Sequence, residues 1–149
     1  MKKIFNILFF LLIANYGFGQ EVPVELQAIG QDDAEQLSTL ITNNNINACY
    51  LEKYTLLAET IRLNANNCFQ LLIEKGADLN KVCGDYFPPI MFAAKYGRLE
   101  MLKTLLAKGA NKNYHYHGSL KQFEGETPLS YAEKNKQTAV VDYLRSLTK

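Results

Sequence analysis

Gly76-Ala77-Asp78-Leu79-Asn80 returns as Gly109-Ala110-Asn111-Lys112-Asn113, 33 positions later. Each closes an apolar helical stretch, Cys68 to Lys75 in one case and Met101 to Lys108 in the other. A further step of 33 towards the N-terminus lands on Asn43-Asn44-Asn45-Ile46-Asn47, preceded by Ala34 to Thr42. Asn43 takes the place of a glycine there. A left-handed residue is expected at that helix exit, and Asn adopts this conformation most readily after Gly. The prolines keep the same ruler: Pro23 and Pro89 lie two periods apart, and Pro128 follows 39 residues after Pro89. Proline suits a helix start, where its missing N–H costs nothing. Proline at entry and Gly or Asn at exit therefore define one recurring helical unit. One such unit cannot bury its own apolar face, so neighbouring units must stack.

The unit resembles the ankyrin repeat, whose pattern is Thr-Pro-Leu-His-x-Ala on a first helix, a Leu-rich second helix, and Gly-Ala-Asp-x-Asn before a finger. Thr127-Pro128-Leu129-Ser130-Tyr131-Ala132 follows that pattern closely. Pro88-Pro89-Ile90-Met91-Phe92-Ala93 follows it with Gly97 between the helices, while Thr55-Leu56-Leu57-Ala58 and Val22-Pro23-Val24 are degraded versions. The resemblance implies an all-α solenoid of about four helix-turn-helix repeats with short β-hairpin fingers. The repeats are read at about 22–54, 55–87, 88–126 and 127–149. Leu71, Leu72, Leu105, Leu106 and Leu144 are expected on the buried side of the second helices, and Ala93, Ala94 and Ala132 allow close approach of the first.

Composition sets the outer bounds. Of 149 residues, 48% are hydrophobic and 21% charged, with a formal net charge of +1, which is the balance of a folded chain and not of a non-specific nucleic-acid binder. Residues 1–19 read as a secretory signal: Met1-Lys2-Lys3, an apolar run from Ile4 to Ala14, then Gly17 and Gly19 around Phe18. The run is short for a membrane anchor, the competing reading. Cleavage after Gly19 would leave 14 basic residues against 15 acidic ones in a periplasmic or secreted protein with no inserted segment.

The resemblance implies a non-catalytic recognition module without cofactor, acting on another protein, with an inhibitor or immunity-type role for an exported partner as the specific expectation. Two surfaces are singled out. The third finger carries six extra residues, and on an extended arm Tyr114 and Tyr116 share one face while His115 and His117 share the other. Tyr114, His115, Tyr116, His117 and Phe123 are expected as exposed contact residues; the competing reading packs the finger's aromatics on the adjacent repeat. His115 and His117, with Glu124 or Glu126 as a third ligand, also admit a metal or enzymatic role. The second surface is a basic row, Arg62, Lys95 and Lys134, flanked by Tyr54, Phe87 and Glu126 at the finger bases and suited to an acidic protein segment. Finally, Cys68 reads as a core residue. Cys49 and Cys83 lie on adjacent fingers and are the pair with a plausible approach; three free thiols are the alternative.

Overall fold

Short amphipathic segments gain little stability alone, so the chain pairs them and stacks the pairs. The computed structural model describes residues 22–147; the leader read over 1–19, and Lys149, lie outside the described residues. Four helix pairs follow one another: α1 (Val24–Gly30) with α2 (Ala34–Leu40), α3 (Leu56–Leu63) with α4 (Asn66–Glu74), α5 (Pro89–Tyr96) with α6 (Leu99–Ala107), and α7 (Pro128–Lys134) with α8 (Thr138–Ser146). A two-stranded hairpin, β1 (Cys49–Tyr50) and β2 (Tyr54–Thr55), forms the first finger, with Cys49 opposite Thr55. A 3₁₀ turn, Lys121–Phe123, lies in the third. Among the described residues no helix is long and apolar enough to cross a membrane.

Local chemistry sets the helix ends. Pro89 and Pro128 occupy first-turn positions. Thr55 caps α3 by accepting from the Ala58 N–H at 3.1 Å, and Thr127 forms a reciprocal capping box with Ser130. A left-handed residue joins the two helices of every pair: Asp32, Asn64, Gly97 and Lys136. At Gly97 a side chain would also collide with Gln137 of the next pair, whose amide donates to the Lys95 carbonyl at 3.1 Å.

The first helices α1, α3, α5 and α7 pack against one another in chain order, closer than the second helices do. Ala58, Ala93, Ala94 and Ala132 are fully buried along this row, which permits that approach. Leu72, Leu105 and Leu144 fill the layer between the second helices. Leu71 and Leu106, expected beside them, are only half-buried. Successive residues diverge by about 100° around a helix, so one leucine of each adjacent pair faces the centre and the other the flank.

The recurring Asn has a structural task. Asn47 Oδ1 accepts from the Asp78 N–H, and Asn80 Oδ1 accepts from the Asn111 N–H, both at 2.8 Å. Each finger thus satisfies a backbone donor of the next one. The left-handed exit expected at Asn43 is not adopted. Helix α2 stops at Leu40, and Ile41 is already extended. Asn45 supplies the termination: its Nδ2 donates to the Leu40 carbonyl at 3.0 Å and its Oδ1 accepts from the Thr42 N–H at 2.6 Å. A side-chain cap replaces the left-handed one.

Candidate functional site

The finger bases and the last turns of the first helices lie on one side of the stack. Arg62, in the last turn of α3, donates from Nε to Glu59 Oε2 at 2.8 Å and from its terminal nitrogen to Oε1 at 2.5 Å. Glu59 is 3% exposed, so this is a largely desolvated, two-point ion pair. The hydrogen bond to Glu59 raises the guanidinium's pKa. Arg62 also sits 5.8 Å from the Tyr54 ring, and Tyr54 in turn meets Tyr86 at 5.9 Å and Phe92 at 5.5 Å. Burial raises the Tyr54 phenol's pKa, with Arg62 opposing the shift.

One repeat along, Lys95 stands over the Tyr96 ring at 5.2 Å. In the last repeat Lys134 lies 2.9 Å from Glu126 and 5.3 Å from the Phe123 ring. Burial alone would raise the Glu126 pKa, but hydrogen bonds from Ser130 and Lys134 outweigh it and the net shift is downward. Burial pushes the neighbouring Tyr131 phenol up to about 12.

The basic row is therefore largely neutralised from within. Arg62 is held by Glu59 and Lys134 by Glu126, which leaves Lys95 as the row's member with no ion pair among the described residues. The i,i+3 spacing of Glu59 and Arg62 on one helix face is the sequence signal for this pair. Phe87, expected at the groove's edge, is 6% exposed. It is the hub of a ring cluster, with centroids of Tyr116 at 5.1 Å and of Phe123 and Tyr131 at 5.2 Å.

The third finger inverts the expected exposure. Tyr116 is 1% exposed. Its hydroxyl donates to the Asp85 carbonyl at 2.8 Å and accepts from the Leu120 N–H at 3.1 Å. Its backbone pairs across the finger with Glu126 and Gly125, at 2.9 Å in both cases. Phe123 and Tyr114 are half-buried, and His115 and His117 face solvent. The alternation of faces holds, but the tyrosine face turns inward because the rings of Phe87 and Phe123 wait there to be covered.

These four stacked helix pairs have a counterpart among known sequences. A family model described as ankyrin repeats in three copies matches residues 26–116 and again 89–148. The chain belongs to the ankyrin-repeat family. It is also 35% identical over 71 residues to a transient receptor potential cation channel subfamily A member 1 homologue of Caenorhabditis elegans. That match covers 48% of this chain and 5% of the channel homologue. Ankyrin repeats generally mediate protein–protein interaction and are typically non-catalytic.

Within this ankyrin stack the first two fingers are tied covalently. Cys49 and Cys83 form a disulfide with Cα atoms 5.6 Å apart. The hairpin turn it anchors has Leu51 and Glu52 both at positive φ, and Gly84 packs where a Cβ would come within 2.7 Å of the Glu52 carbonyl. Cys68 is buried, and burial, with Asp32 nearby, pushes its thiol up to about 12. Such a thiol is a core residue and a poor nucleophile.

The metal reading also changes in composition. Glu126 is committed to Ser130 and Lys134, away from the histidines. Glu124 Oε1 lies 2.7 Å from His117 Nδ1. Among the described residues no group of three or more His, Cys, Asp or Glu side chains converges as a metal cage.

Proposed function

We propose that this chain is an exported, non-catalytic ankyrin-repeat protein that holds a segment of a partner protein in the groove floored by Tyr54, Tyr96 and Phe123. The single observation that carries the reading is the order of side chains along that groove. Aromatic rings alternate with cations, Arg62 over Tyr54, Lys95 over Tyr96 and Lys134 over Phe123. Rings on rigid helices and finger bases supply contact area at low entropic cost. With two of three cations already paired, the groove suits an extended segment bearing apolar or aromatic side chains and a single carboxylate opposite Lys95, more than a densely acidic one.

Two features support export to a periplasmic or extracellular setting. The first 19 residues carry the basic, apolar and small-residue order of a secretory signal. The Cys49–Cys83 disulfide suits an oxidising compartment. In that setting a small binder of one partner acts as an inhibitor or immunity-type protein, blocking an exported protein by occupying it.

A photo-crosslinking residue at Lys95, compared with one at Gln70 on the exposed face of α4, tests the groove. Adducts from position 95 and not from position 70 are expected; equal adducts from both would reject it. Fractionation with and without residues 1–19 tests export. Full-length chain remaining in the cytoplasm with three free thiols would refute that part.

A further inference from the structure

Both histidines of the chain lie on one finger, two residues apart. We propose that His115 and His117 form a two-imidazole chelate for a divalent transition-metal ion of the zinc, nickel or copper class, on the third finger and separate from the groove.

Three observations converge on it. The two rings lie beside each other on the exposed side of the finger, with centroids 6.5 Å apart and planes within 16°. Both histidines are exposed, so packing confines neither ring as their nitrogens close on a common ion at the usual ~2.0–2.1 Å bond length. Next, each Nδ1 is already engaged. His115 Nδ1 lies 2.7 Å from the Asn113 carbonyl, and His117 Nδ1 lies 2.7 Å from Glu124 Oε1. A carbonyl and a carboxylate oxygen only accept, so Nδ1 carries the hydrogen in both rings and the lone pair of each neutral imidazole sits on Nε2. This is the support that metal-bound histidines use, an acceptor behind the ring that sets the tautomer and raises donor strength.

The third observation is the rigidity of the base. Tyr116, between the two histidines, is buried and held by its hydroxyl and by its backbone pairing with Gly125 and Glu126. The segment that presents the pair is therefore anchored before any ion arrives. Imidazole nitrogen selects borderline ions over calcium or magnesium, which prefer oxygen. Glu124 acts here as the support of His117 and as a nearby negative charge, not as the third ligand. Two protein donors leave the remaining positions to water or to a donor from outside the chain.

The untagged full chain, titrated calorimetrically with zinc or nickel chloride in a non-chelating buffer, should bind one ion per chain. The imidazole resonances of both histidines should shift together in the NMR spectrum. His115→Ala and His117→Ala should each weaken binding by at least about tenfold with an unchanged circular dichroism spectrum, since both side chains are exposed. Glu124→Ala should weaken it about tenfold, in the range found for such supporting partners. Glu124→Gln, whose carbonyl still accepts from Nδ1, should lose less. Acid should compete, because the ion needs neutral imidazoles. No saturable binding by the wild-type chain, or equal binding by the histidine variants, would overturn the chelate. Equal binding by Glu124→Ala would overturn the assignment of Glu124.

Discussion

Tyr116 is the residue whose replacement best separates a structural third finger from a decorative one. Its ring is 1% exposed and meets Phe87 at 5.1 Å and Phe123 at 6.1 Å, while its hydroxyl links Asp85 and Leu120. Tyr116→Ala removes a buried aromatic whose surroundings are fixed by other rings, a change that costs about 3–5 kcal/mol. Tyr116→Phe keeps the ring but strands the Asp85 carbonyl and the Leu120 N–H, at about 1–3 kcal/mol. For a chain of this size each kcal/mol moves the melting temperature by roughly 3–4 °C. The alanine variant should therefore melt about 10 °C or more below wild type, and the phenylalanine variant should fall between the two. His115→Ala, on the opposite face of the same arm, serves as control and should stay within about 0.5 kcal/mol of wild type. Urea and thermal melts followed by far-ultraviolet circular dichroism measure all three. A Tyr116→Ala chain as stable as the His115→Ala control would refute the inward packing of the finger.

Arg62→Ala should destabilise by roughly 1–3 kcal/mol, below the cost of breaking a fully buried pair, because Glu59 is left largely buried without its cation while the site keeps some access to water. Lys95→Ala should leave the urea midpoint unchanged and act on partner binding alone. Reducing the Cys49–Cys83 bridge, which closes a loop of sequence separation 34, should cost roughly 4 kcal/mol in the chain-entropy picture, read as a shift in urea midpoint with and without reductant. Glu126 has a folded pKa below its unfolded value, so its contribution is present above the ordinary carboxylate pKa of 4.5 and is lost as the pH falls through the lower folded value. Ser130→Ala should flatten that acid-side loss, and an unchanged stability profile against pH would count against the Ser130–Glu126–Lys134 linkage.

The repeat architecture was legible in the sequence because it is local and periodic. A proline or threonine at the entry of the first helix of each pair, a glycine at the exits of α4 and α6, and a recurring Asn at 47 and 80 each answer to the backbone within a few residues, and the 33-residue ruler multiplies that weak signal. At Asn43 the residue type permits a left-handed exit, but Asn45, two positions on, competes for the helix end with its side chain, and the left-handed exit is not adopted. Local propensity names what a backbone can do, and a stronger local hydrogen bond decides which option is taken.

What only the tertiary structure decided is which faces meet. Alternation along residues 114–117 separates tyrosines from histidines but carries no sign for inside and outside. That sign is set by Phe87, nearly 30 residues away, and by Phe123 and Tyr131, whose rings are covered only when Tyr116 turns in. The charges of the groove follow the same rule. Arg62, Lys95 and Lys134 recur at equivalent positions and read as one basic row, yet the burial of Glu59 and the folding of Glu126 back onto α7 pair two of the three. Periodicity records where a side chain sits on its own helix; its charge state, exposure and partners depend on residues that only the stacked repeats bring within reach.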